Sequence, residues 1–171
     1  MSCCFWRWDT PICLSAHPYS QGGGTAARPE LLQLAGRGAE ANVQTERARA
    51  LLATNEGSSP ERNDRDRAFR LAITARVLAL SGETDRAREH ITQALAIEPS
   101  EDRYIFRRIL AYAESNLGQV EAAWLLIQPF ADDGYDLSHG ELLAFKAYYD
   151  QVYGESPSYR AYVAKIAAEK K

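Results

Sequence analysis

The residues that follow Asp66 carry apolar side chains on two sides of one predicted helix, and this pattern restricts the fold more than any other feature of the chain. Each stripe follows the i, i+4, i+7 spacing of one helix face. The two stripes are Leu71, Ala75 and Leu78, and Ile73, Val77 and Leu80. A helix with two apolar sides needs a neighbour on each side. The sequence therefore predicts stacked helices in place of an isolated hairpin.

A second helix is predicted to begin at Thr84 or Asp85, after a tight turn at Ser81-Gly82-Glu83. Its inward face is formed by Ala87, Ile91, Ala94 and Leu95. Small residues on this face allow two antiparallel helices to approach closely. Pro99 is expected to end the hairpin, because proline cannot continue a helix.

This hairpin resembles the tetratricopeptide repeat, whose pattern places large, small and aromatic residues at fixed spacings in two helices. The residues at the matching positions are Leu71, Thr74, Ala75, Leu78, Ala87, Ile91, Ala94 and Pro99, and of these Thr74 departs clearly from the family. The best repeat covers 68–99, and a weaker copy covers 102–130. In the weaker copy Arg107 and Glu114 depart from the family, and Pro129 is expected to cut the second helix short. The resemblance implies an all-α fold, a right-handed stack of antiparallel helix hairpins that forms a TPR-like superhelix.

The predicted helical domain covers 28–171 and follows a disordered tail at 1–27. A terminal hairpin is expected at 138–169. Its first helix should begin at a capping box that starts at Ser138, and its second should follow a cap at Ser156. The side chains expected to face inward are Leu142, Phe145, Tyr149 and Val152, then Tyr159, Tyr162, Val163 and Ile166.

Charge and cysteine usage favour a soluble, cytoplasmic protein. The net charge of -3 provides no strong attraction to nucleic acid or to an anionic membrane. The three cysteines are Cys3, Cys4 and Cys13, so the predicted helical domain has no thiol, which favours a reducing compartment. No apolar run approaches the about 20 residues that span a bilayer, and no secretory signal is recognisable.

Two features of the sequence suggest other kinds of partner, a nucleic acid and a membrane. Four arginines between Arg62 and Arg70 suggest a nucleic-acid patch, but Asp64 and Asp66 lie among them, so pairing within a solvated helix face is the favoured interpretation. Cys3 and Cys4 lie beside tryptophans, as in some palmitoylated N-termini. A second lipid signal is missing, because Ser2 stands where myristoylation requires glycine.

Candidate catalytic and metal-binding residues do not form a convincing set. His90 and His139 lie in a predicted helix and a predicted cap, and both are interpreted as surface residues. A zinc site would have to use adjacent cysteines, which fit one tetrahedral ion poorly. The acidic run 132–136 lacks the spacing of a calcium-binding loop. The sequence therefore predicts a protein that is no enzyme and holds no cofactor or metal.

The resemblance implies a concave groove lined by the first helix of each hairpin, where a peptide or partner helix binds. The groove residues carried over from the family are Phe69, Arg76, Ile105, Arg108, Tyr112 and Asn116. Arg76 and Arg108 are expected to pair with acidic groups of a partner. Ala72 and Ile109 replace two polar residues of the family members that clamp chaperone tails, so that specific binding mode is not expected.

The predicted function is a protein interaction scaffold or adaptor. Two alternatives stay open at this stage. A short stack with weak terminal repeats exposes apolar ends that can dock on a second copy, as in a self-assembling structural module. The closing helix also resembles those of tetratricopeptide modules in bacterial transcription or signalling systems, which suggests a regulatory domain.

Overall fold

The computed structural model of the chain describes residues 36–55, 63–133 and 146–169. These residues form seven α-helices, and none of them is in a strand. The helices are α1 (Gly38–Asn55), α2 (Asp64–Leu80), α3 (Thr84–Ala96), α4 (Arg103–Asn116), α5 (Val120–Asp132), α6 (Lys146–Tyr153) and α7 (Pro157–Ala168). The described part of the chain is therefore all-helical, as the sequence predicts.

Several predictions concern residues outside the described ranges. They are the tail at 1–27, the first residues of the predicted helical domain, the capping box at Ser138, the inward residues Leu142 and Phe145, His139, and the three cysteines. The chain also divides into two compact units between Gln44 and Thr45, inside α1. All the packing and the site described below belong to the second unit. None of the helices in the described ranges combines the length and the hydropathy needed to cross a membrane.

The turns that join α2 to α3 and α4 to α5 have the same geometry. Gly82 and Gly118 adopt left-handed backbone conformations, with φ of 77° and 75°. The next residue then donates its amide hydrogen to a carbonyl of the preceding helix, from Glu83 to Leu78 and from Gln119 to Glu114, both at 2.9 Å. This is the Schellman ending of a helix, which glycine favours because it lacks Cβ. The predicted turn at Ser81-Gly82-Glu83 is confirmed, and the second hairpin repeats it.

The helix α2 packs against two partners, α3 and α4. The stripe of Leu71, Ala75 and Leu78 takes part in the core formed there, whereas the other stripe is at least partly buried but does not belong to that core. Most residues of this core are alanines, and Phe106 and Leu110 of α4 are its largest fully buried side chains. The buried residues of this first core are Ala68, Ala72, Ala75, Leu78, Ala79, Ala87, Ile91, Ala94, Phe106, Leu110 and Ala113. Leu95, which was predicted to face inward, is 36% exposed, because the alanine beside it takes the inward position.

A second core forms where α5 meets α4, α6 and α7. Its centre is Trp124, whose ring lies 5.7, 5.0 and 5.4 Å from the ring centroids of Tyr153, Tyr159 and Tyr162. Ile166 of α7 is also buried in this cluster. The predicted inward residues of the last helix are thereby confirmed at Tyr159, Tyr162 and Ile166, which anchor α7 against α5.

Pro129 does not end α5, so that prediction is wrong. The helix continues to Asp132, and Asp133 donates its amide hydrogen to the carbonyl of Pro129 at 3.1 Å. A proline inside a helix removes one hydrogen bond to the carbonyl four residues earlier, here that of Leu125. Because Leu125 is 50% exposed, water has access to this side of the helix and the missing bond is tolerated.

An ion pair between Arg107 and Glu98 fixes the loop between α3 and α4. This contact gives a structural role to Arg107, which departs from the tetratricopeptide pattern. Arg107 donates two hydrogen bonds to Glu98, from Nε at 2.8 Å and from Nη2 at 2.7 Å. Arg103 donates a third from Nε at 3.0 Å. These bonds hold the pKa of the Glu98 carboxyl below its usual value, against the opposite effect of burial. The loop and the first turns of α4 are therefore cross-linked by charge-assisted hydrogen bonds.

A similar contact fixes the start of α7. Ser156 is its N-cap, as predicted, and its Oγ accepts a hydrogen bond from the amide of Tyr159 at 3.0 Å. The Ser156 hydroxyl also donates to Glu121 of α5 at 2.5 Å, and the Ser158 hydroxyl donates to the same carboxylate. These hydrogen bonds lower the pKa of Glu121. The contact sets the position of α7 on α5.

Candidate functional site

The six predicted groove residues lie on α2 and α4, which pack side by side. Phe69 and Arg76 belong to α2, and the other four, Ile105, Arg108, Tyr112 and Asn116, follow one another along α4 at spacings of three or four residues. Such spacings place side chains on one helix face. The structure therefore brings most of the predicted residues to one region, but it gives them different environments.

Arg76, Arg108 and Tyr112 meet in an arginine–tyrosine cluster, which also contains Tyr104 and Tyr148. The guanidinium carbons of Arg76 and Arg108 lie 5.2 and 5.8 Å from the centroid of the Tyr112 ring. Arg108 is also 5.8 Å from the Tyr104 ring, so two aromatic rings flank it. Cations at these distances are attracted to the ring face. The cluster thus joins α2 to α4 through cation–π contacts.

Hydrogen bonds extend the cluster to α6. Arg108 donates from Nε to the Tyr112 hydroxyl at 3.2 Å, and that hydroxyl lies 3.4 Å from the hydroxyl of Tyr148. Tyr148 packs edge-on against Tyr149, with ring centroids 5.4 Å apart. Tyrosine side chains from two helices therefore lie around one arginine, and one of them binds its Nε.

Arg108 is partly buried, and no carboxylate of the described residues balances its charge. Burial lowers the pKa of its guanidinium, but the neighbouring Tyr112, Tyr104 and Tyr149 raise it, and the pKa lies above the ordinary value. The group is therefore a permanent cation at neutral pH. Across the described ranges, no acidic side chain lies within ion-pair distance of it. Its Nη groups accordingly keep free hydrogen-bond donors.

Phe69 and Asn116 are less accessible to a binding partner than the sequence suggests. Phe69 packs edge-on against the buried Phe106 ring at 5.7 Å, and the guanidinium of Arg65 lies 5.5 Å from its centroid. It therefore contributes to the edge of the first core. The Nδ2 group of Asn116 is buried and has no hydrogen-bond partner within the described residues. A ligand can reach this donor only after the side chain reorients.

Ile105 is the predicted residue that presents an apolar surface, because 49% of it is exposed. It lies one turn before Arg108 on α4, about 4.5 Å along the helix axis. An exposed aliphatic side chain beside an arginine flanked by tyrosines combines the residue types that dominate binding energy in protein interfaces. The arrangement can hold a planar anion and an apolar side chain next to each other.

Tyr104 and Tyr148 belong to the site, but sequence reasoning did not select them. Tyr104 could be selected from the sequence alone, because it lies four residues before Arg108 on the same face of the helix. Tyr148 has no local signal, since it lies on α6 and reaches the cluster through packing of helices that are distant in the sequence. Glu114, which also lies on α4, has a raised pKa because of burial, and Arg88 opposes that shift.

The remaining chemistry of the described residues is sparse. The Nδ1 atom of His90 lies 2.8 Å from the carbonyl oxygen of Arg86, a contact within the helix. No group of three histidine, cysteine, aspartate or glutamate side chains within the described ranges could hold a metal ion. Comparisons with models of protein families, with curated proteins and with solved structures give no match to this chain.

Proposed function

We propose that this protein is an interaction scaffold or adaptor that binds a peptide or a helix of another protein on the face formed by α2 and α4. The observation that carries this proposal is the arginine–tyrosine cluster, in which Arg76 of α2 and Arg108 of α4 share the ring of Tyr112. Beside it lies the exposed Ile105. A cation, aromatic rings and an apolar side chain on two adjacent helices are suited to a macromolecular ligand.

The packing supports a TPR-like stack as the framework of this site. In such a stack the first helix of each hairpin contacts its own second helix and the first helix of the next hairpin. The helix α2 has those two contacts, with α3 and with α4. The two hairpins also end their first helices with the same glycine turn, at Gly82 and at Gly118. We propose on these grounds that α2 and α4 are the groove-lining helices of a tetratricopeptide-like protein.

The proposal needs no catalytic role for any residue of the cluster. Arg108 is held by cation–π contacts and by Tyr112 in a fixed orientation, which suits recognition because little side-chain entropy is lost on binding. The tyrosine rings supply rigid contact area for the same reason. Binding energy would then come from a small centre around Arg108 and Ile105, as is usual in protein interfaces.

Site-specific photocrosslinking tests the proposal. A photoreactive phenylalanine analogue would replace Ile105 in the full chain, and in a matched variant it would replace Leu125 of α5. The two side chains are almost equally exposed, at 49% and 50%, so they differ in position and not in accessibility. Covalent adducts with a cellular protein are expected at position 105 and not at position 125. Adducts at position 125 alone would show that another face of the protein is used.

Self-association is a second candidate, because Leu125 of α5 and Leu95 of α3 are exposed leucines on the second helices of the two hairpins. Exposed apolar side chains of this kind can form a contact between copies. Sedimentation of the full chain over a range of concentrations decides this point. A rise in mass that Leu125→Ser removes supports self-association, and a constant monomer mass excludes it.

A further inference from the structure

We infer that the partner is an acidic peptide segment that places an aspartate or glutamate carboxylate on the Nη groups of Arg108. This inference depends on the proposed function, since it names the chemistry that the α2–α4 face would recognise. It begins from a difference between two adjacent arginines of α4. Arg107 is satisfied by a bidentate bond to Glu98, whereas Arg108 lacks any carboxylate within the described ranges.

The unsatisfied groups of Arg108 are hydrogen-bond donors. Nε is used by the hydroxyl of Tyr112, at 3.2 Å. The two Nη groups have no acceptor in the described part of the chain, and they are not among its buried unsatisfied atoms. Arg108 as a whole is only partly buried. A guanidinium with its Nε fixed and its Nη groups accessible can accept a carboxylate through two parallel hydrogen bonds. The ligand must supply acceptors and negative charge.

The surroundings of Arg108 favour a peptide over a free anion. The rings of Tyr104 and Tyr112 flank the guanidinium and exclude part of the solvent, which strengthens an ion pair formed there. Ile105 lies one turn away with half of its surface exposed, so an apolar side chain next to the acidic residue would be buried against it. The recognised segment therefore contains an acidic residue beside an apolar one.

The net charge of the protein allows recognition by Arg108 to be distinguished from general electrostatic attraction. The chain carries a net charge of -3, so nonspecific attraction would enrich basic peptides and would disfavour acidic ones. A preference for acidic peptides can arise only from a local cationic site. Arg108 is such a cation, because two tyrosine rings flank it and no carboxylate pairs with it in the described ranges.

Selection from a displayed library of random peptides tests the inference on the full chain. The library is selected in parallel on the unmodified protein, on Arg108→Gln and on Arg86→Gln. Arg86 is a matched control, because it is an exposed arginine of α3 that pairs with Glu83 and lies outside the cluster. We expect aspartate and glutamate to be enriched in peptides selected by the unmodified protein and by Arg86→Gln. The enrichment is expected to disappear with Arg108→Gln.

A measurement on the peptide side keeps the test valid if Arg108→Gln does not fold. A selected peptide and its Glu→Gln or Asp→Asn counterpart are titrated against the unmodified protein. Loss of one charge-assisted contact should weaken binding roughly tenfold. Equal affinities of the two peptides would overturn the inference. In a folded Arg108→Gln variant, the two peptides should bind equally.

The outcomes separate the inference from the proposed function. If peptides are selected on the protein without enrichment of acidic residues, or if Arg108→Gln selects the same acidic peptides, the inference is wrong and a peptide-binding function survives. If no peptide is enriched on the unmodified protein, the peptide-binding function itself is contradicted. Acidic enrichment that depends on Arg108 supports both.

Discussion

Replacing Trp124 with alanine should remove most of the contact between the last two helices and the rest of the second core. The indole is fully buried and touches three tyrosine rings. Losing about 150 Å² of buried apolar surface at about 25 cal/mol per Å² costs about 4 kcal/mol. The lost ring contacts bring the total to about 5 kcal/mol, near the upper end of such substitutions.

Trp124→Phe provides the matched comparison, because the indole Nε1 is buried without a hydrogen-bond partner in the described residues. Phenylalanine keeps an aromatic ring and removes this unsatisfied donor, whose burial costs about 1–3 kcal/mol. The gain offsets much of the lost volume, so we expect a net loss of only about 1 kcal/mol.

Urea unfolding followed by circular dichroism measures both free energies of unfolding, and hydrogen exchange locates the effect. In Trp124→Ala the amides of α6 and α7 should lose protection first, because those helices pack on α5. The amides of α2 and α3 should keep theirs, since they belong to the other core. An alanine variant as stable as the original, or a phenylalanine variant as unstable as the alanine one, would refute this reasoning.

Three further predictions concern the contacts that fix the helices. Glu98→Gln should cost about 2 kcal/mol of unfolding free energy in urea titrations, because it weakens charge-assisted bonds from Arg107 to a carboxylate that is only 18% exposed. Gly118→Ala should cost about 1 kcal/mol by the same assay, because φ is 75°, whereas Gly38→Ala, without a left-handed φ, should not lower stability. Glu121 has a lowered pKa in the folded protein, so its contribution is complete above the unfolded pKa of about 4.3 and is lost as the pH falls through the folded pKa. Glu121→Gln should therefore flatten the stability profile at acid pH, and an unchanged profile would contradict the assignment.

The hairpins could be predicted from the sequence because their signals are local. Apolar spacing fixes the helices α2 and α3, and Gly82 and Gly118 mark the turns, since few other residues adopt positive φ. Pro129 was misread because a proline stops a helix only where the lost hydrogen bond cannot be replaced. Leu125 is exposed, so water can replace the lost bond, and this exposure depends on which side of α5 faces solvent. Spacing alone does not reveal this.

The site was predictable only in part for the same reason. Arg108 and Tyr112 lie four residues apart on one helix, so their proximity follows from helix geometry. Arg107 has a carboxylate partner because the loop residue Glu98 lies beside it, whereas none of the described acidic residues pairs with Arg108. The contribution of Tyr148 depends on α6, which is far away in the sequence. These are tertiary features, and no local pattern encodes them.

The most direct test of the α2–α4 site follows the side-chain Nε–Hε resonances of the arginines by NMR while a selected acidic peptide is added to the full chain. The resonance of Arg108 should shift with peptide concentration, because its guanidinium receives the carboxylate. Those of Arg107, which stays bonded to Glu98, and of the distant Arg86 should stay in place. Shifts at Arg86 with an unchanged Arg108 resonance would contradict the assignment of this face as the binding site.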